Sequence, residues 1–213
     1  MLSIDVYSDV ICPWCFVGKH RLEKALAAVK DRFDAHVTWH PFELNPDMPK
    51  EGLNRKEYRA AKFGSWEKSL VLDEQVKQAG LTEGINFRHD LMERTPNTFD
   101  AHKLILLAGR RGVQDKVADA VFNGYFTQGK DVGNRDTLIE IATAAGMEAE
   151  KVKTFLESDE ATNAVNEAEA KGRELRINAV PNFIINNQVS FSGAQSVEKF
   201  IRAFEQATNS AAA

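Results

Sequence analysis

Cysteine is scarce in this chain, with two in 213 residues, at positions 12 and 15. Small scaffolds stapled by disulfides carry several pairs, so this fold must rest on its core. The scarcity also argues against structural zinc, which takes about four ligands. No second Cys pair accompanies the first, and the histidines at 20, 36, 40, 89 and 102 show no paired ligand spacing. No apolar run approaches the ~18 residues of a membrane-spanning helix. Basic charge is not in excess either. A net charge of −4 and a pI near 5.8 argue against nucleic acid or an anionic membrane surface as partner. Met1-Leu2-Ser3-Ile4-Asp5 has no basic region ahead of an apolar core, so no secretion signal is read there and the expected compartment is the cytoplasm. What remains, 43% hydrophobic and 27% charged, suits a globular chain with one core, or one domain carrying a large insertion.

Both cysteines fall in Ser8-Asp9-Val10-Ile11-Cys12-Pro13-Trp14-Cys15-Phe16. Leu2, Ile4 and Val6 alternate with polar residues before it, as in a strand. Lys19 to Val29 is amphipathic after it, as in a helix. Pro13 has no N–H to lose and a φ suited to a first helical turn, so the helix should begin just after Cys12. Its free N–H groups and positive end then point at the Cys12 sulfur and stabilise the thiolate. Cys15 lies one turn further in, more buried and within disulfide reach. Cys12 is expected to attack and Cys15 to resolve, the arrangement of a thiol–disulfide exchange site. The alternative is two free thiols packed as small core residues.

Downstream, residues 36–42 alternate again and predict a second strand, parallel to the first through the crossover helix. Asn45-Pro46-Asp47-Met48-Pro49 breaks the pattern, and residues 54 to 176 read as almost entirely helical. Asn54 and Ser65 are candidate N-caps, for helices ending at Phe63 and at a C′ glycine, Gly80. Asn97-Thr98-Phe99-Asp100 resembles a capping box. Helices follow at about 114–126, 134–145, 148–157 and 160–175, stopped by Gly129, Gly146 and the Ser158-Asp159 break. Their apolar positions (Leu104, Leu107, Val117, Val121, Tyr125) read as core. Strand character returns at 182–186 and 188–191 across Asn186-Asn187, a hairpin. A last helix, Val197 to Ala207, presents Phe200, Ile201 and Phe204 on one side. The tail from Asn209 is expected to fray. Strands at both ends with helices between imply an α/β domain, residues 1–48 and 177–213, interrupted by an all-helical insertion at 49–176.

This order of strand, C-P-x-C helix, strand, then Val180-Pro181 before a hairpin and helix resembles the thioredoxin fold. With its long helical insertion the chain is similar to the DsbA-like branch. Further stretches resemble the FrnE-like cytoplasmic group: His40-Pro41-Phe42-Glu43-Leu44-Asn45-Pro46, Asn97-Thr98 with Ala101-His102, Val180-Pro181-Asn182-Phe183, and Ser192-Gly193-Ala194-Gln195. Glutathione transferase kappa and 2-hydroxychromene-2-carboxylate isomerase share the fold. The resemblance implies a dithiol–disulfide oxidoreductase with Cys12 and Cys15 as catalytic pair and a cis Pro181 facing them. Pro13, Trp14, Val180 and Pro181 would then contact substrate, the Val180 backbone pairing with an extended chain. Implied partners are disulfide-containing proteins or glutathione, to a protein that is a monomer or homodimer; no metal or resident cofactor is implied, glutathione serving at most as co-substrate.

Two departures from that pattern stand out. Thioredoxin and DsbA carry a buried carboxylate six residues before the first cysteine, where this chain has Val6. The Cys15 proton must therefore be handled by another group: water, Glu43 or His40. The Pro13-Trp14 dipeptide also stands where DsbA has Pro-His, so no imidazole assists Cys12. His102, between apolar helix positions, reads as structural. Lys19 and Arg21 read either as charge helping the thiolate or as a solvated helix face. Phe42, Asn45, Trp66 and Phe99 are candidates for a groove or for core. A kappa-class transferase or isomerase is the rival reading; such relatives carry Ser at the Cys12 position, and retaining both cysteines favours exchange.

Overall fold

The computed structural model describes residues 1–209; Asn209, expected to begin the frayed tail, is instead the last residue of the final helix, and the rest of that tail lies outside the described residues. A four-stranded sheet is ordered β2-β1-β5-β6, from Leu2–Ser8 (β1), Ala35–Pro41 (β2), Asn182–Ile185 (β5) and Val189–Ser192 (β6). β1 and β2 pair in parallel from Leu2↔Ala35 to Ser8↔Pro41, and the connecting helix α1 is Pro13–Val29. β5 runs antiparallel to both β1 and β6. The hairpin turns through Asn186 and Asn187 at φ 50° and 54°, a conformation Asn tolerates, with Gln188 N donating to Ile185 O at 3.0 Å.

Leu2, Ile4 and Val6 are fully buried, and the register sets Val6 beside Trp39. The last helix, α9 (Val197–Asn209), packs beside α1 and seals the sheet with Phe200 and Phe204. Phe200 meets Phe183 edge-on at 4.7 Å. Each such buried aromatic contributes roughly 2–3 kcal/mol by removal from water.

Between β2 and β5 lie α2 (Arg55–Phe63), α3 (Trp66–Glu83), α4 (Phe99–Arg110), α5 (Gln114–Gln128), α6 (Arg135–Ala144), α7 (Ala149–Glu157) and α8 (Asp159–Glu174). α4 is central, against α5, α7 and α8, and α5 also packs on β2. Asn54, Ser65 and Ser158 each accept a bond from a first-turn N–H, as capping chemistry requires. At α4 the bond comes instead from Asn97, whose Oδ1 accepts Phe99 N at 2.9 Å, and Thr98 makes no side-chain cap.

Three details depart from the sequence reading. α3 does not stop at Gly80 but runs to Glu83, and Gly84, at φ +84°, ends it. Gly80 is there for closeness, since a Cβ would lie 2.6 Å from Phe87 Cδ2. A short ladder, β3 (Leu53–Asn54) with β4 (Arg94–Thr95), lies within the helical stretch, too brief for alternation to show. Lys19, the third, lies not on a solvated face but 1% exposed, paired with Glu23, with Asp119 at 3.1 Å and Asp115 at 3.6 Å. Together with Phe16, stacked on Phe122 at 5.3 Å and Phe126 at 5.9 Å, it ties α1 to α5.

Candidate functional site

The loop leaving β1 turns tightly, Cys12 N donating to Asp9 O at 3.0 Å, and delivers Cys12 to the N-cap of α1. Pro13 fills the first helical position. Both cysteines are free thiols; Cys12 retains 6% exposure and Cys15 none. Burial pushes the Cys15 thiol well above its ordinary range, and the bond its S–H donates to Cys12 adds to this. The Ser8 side chain and the Asp9 backbone N–H act the other way, favouring a Cys15 thiolate.

Val180–Pro181 is cis, and Val180 O lies 3.8 Å from Cys12 Sγ. Gly18 makes room for this loop, because a Cβ there would meet Pro181 Cγ at 3.1 Å. Trp14 is 40% exposed beside the pair. The chain thus brings Cys12, Cys15, Pro13, Trp14, Val180 and Pro181 to one end of the sheet.

A cavity of about 110 Å³ opens beside Ile11 and Pro13, lined on its far side by Asn45, Tyr58, Arg59 and Lys62. Asn45 is the member of the proposed groove found there; Trp66 belongs to a separate depression with Leu70 and Phe87, under Arg55 at 5.7 Å. Phe99 instead packs under the Lys103 ammonium at 5.2 Å. Arg21 is bound to Glu83 at 2.8 Å and Ala194 O at 2.6 Å, and Lys19 is enclosed by its carboxylates, so neither reaches the thiols as a free charge.

Beside the motif lies a polar cluster of which the sequence reading singles out Glu43 but not Asp9, with His102 read as merely structural. Asp9 is fully buried; its Oδ2 accepts Leu44 N at 2.7 Å, and its Oδ1 lies 3.4 Å from His102 Nε2. His102 is 2% exposed, and Nε2 makes no hydrogen bond. Glu43 N donates to Glu169 Oε1 at 2.9 Å, while Glu43 Oε1 is buried without a partner. Burial raises the Glu43 carboxyl to about 7, with Glu169 and Asp9 adding and His102 opposing. His40, the other candidate for the Cys15 proton, is engaged elsewhere, bonded to Asp5 at 2.7 Å and stacked on Tyr7 at 4.7 Å. The burial and pairing of Asp9 and His102 carry no local signal, since a single buried Asp or His looks like any other in sequence.

Comparison with known proteins places this geometry. The model of the DSBA-like thioredoxin domain matches residues 3–205. The Bacillus subtilis (strain 168) protein YwbO is 30% identical over 203 residues, 95% of each chain. A probable DsbA oxidoreductase of Streptomyces coelicolor, solved by crystallography, is 33% identical, with a TM-score of 0.90 over 98% of this chain and 91% of that one. The cytosolic disulfide reductase DsbM of Pseudomonas aeruginosa, crystallised with glutathione, shares the fold at 15% identity and a TM-score of 0.70 over 97% and 99% of the two chains. With its thiol pair at the head of α1, its cis Val180–Pro181 loop and this coverage, the chain belongs to the DSBA-like thioredoxin domain family.

Proposed function

We propose that this protein is a dithiol–disulfide oxidoreductase in which Cys12 attacks and Cys15 resolves. The observation that carries the reading is the asymmetry of the pair: Cys12 partly accessible at the helix N-cap, Cys15 enclosed behind it with its S–H directed to the Cys12 sulfur. The Cys12 thiolate attacks one sulfur of a substrate disulfide, forming a mixed disulfide and releasing the other sulfur as thiolate. Cys15 then attacks Cys12, closing the internal disulfide and releasing the second thiol. The reverse sequence oxidises a dithiol substrate. Trp14, Pro13, Val180 and Pro181 form the docking rim, the Val180 backbone offering its polar groups to an extended chain. Residues 1–48 and 177–213 are the thioredoxin-like unit of this scheme, and 49–176 the helical part bracing it. Substrates are disulfide-bearing proteins or glutathione in the cytoplasm, in the manner of the FrnE-like group.

The kappa-class reading, in which a bound glutathione thiolate acts, gains from the cavity with Arg59 and Lys62 beside Pro13. It leaves Cys15 without a task. Cys15→Ser discriminates between them. Exchange chemistry predicts that this variant accumulates a stable mixed disulfide and loses multi-turnover insulin reduction. Full steady-state transfer of glutathione to an electrophile by Cys15→Ser, with no trapped adduct, would overturn the oxidoreductase assignment.

A further inference from the structure

The turn Ser192-Gly193-Ala194-Gln195, between β6 and α9, supplies no group to the exchange chemistry, yet it is held from two sides. Gly193 takes φ +84°, and its N–H donates to Pro181 O at 2.8 Å, so the turn carries the Val180–Pro181 loop. Gln195 closes the turn, its N donating to Gly193 O at 2.8 Å and its Nε2 to Ser192 O at 2.8 Å. The other side lies against α1. A Cβ on Gly18 would lie 3.1 Å from Pro181 Cγ and 3.7 Å from Ala194 Cα. Arg21 follows on the same helix face, and its Nη1 donates to Ala194 O at 2.6 Å.

The same guanidinium reaches a third element. Arg21 Nε donates to Oε1 of Glu83, the last residue of α3, at 2.8 Å. Glu83 Oε2 accepts from Lys24 Nζ at 2.7 Å, and Lys24 also donates to Thr82 O at 3.2 Å. The Glu83 side chain is 9% exposed and that of Arg21 21%, which shields the pair. Burial works to raise the Glu83 carboxyl, but the Lys24 and Arg21 bonds outweigh it and hold the group below its ordinary range. An ammonium could not replace this guanidinium. Arginine presents a rigid planar fork that serves two acceptors in fixed directions, whereas lysine is a point charge on a flexible stem.

We propose that Arg21 is the positioning residue of the substrate-docking loop, latching Val180–Pro181 to the thiol helix and to the end of α3; this rests on the exchange reading above. The route runs from Glu83 through Arg21 to Ala194 O, and from Gly193 N to Pro181 O. Val180 O stands at its end, 3.8 Å from Cys12 Sγ. Arg21 touches neither substrate nor sulfur. It sets where the Val180 backbone stands relative to the Cys12 sulfur when an extended chain pairs with it. A substrate that docks through its backbone depends on that placement, because small displacements at a reacting centre are costly. A disulfide with no backbone does not. The helical insertion thus helps to fix the docking rim through a single side chain.

Two disulfides with one leaving group separate docking from chemistry. One is Ellman's disulfide, which has no peptide backbone; the other is a short peptide whose single cysteine carries thionitrobenzoate. With either, the Cys12 thiolate forms an S–S bond to one sulfur, and thionitrobenzoate leaves with the electron pair of the broken bond. Stopped flow with the reduced protein gives the ratio of the two rates, peptide over Ellman's disulfide. Arg21→Lys should lower that ratio at least about tenfold, with the rate on Ellman's disulfide unchanged. Glu83→Gln keeps an acceptor for Arg21 but loses the charge, so it should lower the ratio by less. The double variant should add little to Arg21→Lys alone, since both act through one latch. A merely structural role would lower the melting temperature or the active fraction and slow both disulfides alike, leaving the ratio in place. An unchanged ratio in Arg21→Lys overturns the latch alone. If the unaltered protein releases thionitrobenzoate from neither disulfide, the exchange reading beneath it falls.

Discussion

At Cys12 and Cys15 the same chemical group meets two environments. One sits at a helix N-cap with a remnant of exposure, the other is enclosed and pushed well up by burial. Iodoacetamide at pH 7 should therefore modify Cys12 at least about tenfold faster than Cys15. Peptide mass mapping after partial labelling reads this directly, and a Cys15 adduct appearing first would refute the assignment of roles. This asymmetry was legible in the sequence because it is local: a two-residue gap, a proline, and one helical turn. Lys19 shows the opposite case. Its position on a face with Cys15 and Leu22 was visible, but its burial depends on Asp115 and Asp119, roughly one hundred residues away along the chain and brought in by α5. Asp9 and His102 are hidden in the same way, because a long-range pair leaves no spacing to read.

Helices were legible where their ends obey backbone chemistry, as at Asn54, Ser65 and Ser158, and less so where glycine has two uses. Gly80 and Gly84 both follow an apolar helical stretch, and either would make a plausible stop. Only the fold distinguishes them: Gly84 takes φ +84° with open space around it, while Gly80 stays helical beneath the Phe87 ring. Alanine at position 80 gains about 1 kcal/mol of helix propensity over glycine. It must also displace a ring that is 2% exposed and braced by Phe16 and Phe126, at an overpacking cost of about 1–3 kcal/mol. Gly80→Ala is accordingly expected to lower stability in urea denaturation. Gly84→Asn, placing a residue that tolerates the left-handed region in open space, should change it by less than about 1 kcal/mol. A stabilised Gly80→Ala would mean that the Phe87 contact does not constrain α3. The short β3–β4 ladder was illegible for another reason, since two residues cannot display a period of two.

Across the whole molecule, two half-buried groups pull the pH dependence of stability in opposite directions. Glu43 titrates near 7 when folded and near 4.5 when unfolded, so between these values the folded state holds the extra proton. Stability from this group is present below about 4.5 and declines as pH rises to 7. His89 is the reverse. Burial, with Arg55 and Arg59 adding and Asp73 opposing, lowers it from 6.5 to about 4. The unfolded chain holds the extra proton over that interval, so stability grows as pH rises from 4 to 6.5. Each shift corresponds to on the order of 2–3 kcal/mol once partial exposure of the two side chains is allowed for. Their windows overlap between about 4.5 and 6.5, and there the two slopes cancel. Substitution separates them. Relative to the unaltered protein, Glu43→Gln should become progressively more stable as pH is raised from 4.5 to 7. His89→Gln should gain relative stability as pH is lowered from 6.5 to 4. Urea unfolding at half-unit intervals gives both differences. A Glu43→Gln difference that stays constant with pH would mean that Glu43 titrates alike in folded and unfolded chains, and that the carboxyl under the thiol pair is solvated rather than buried.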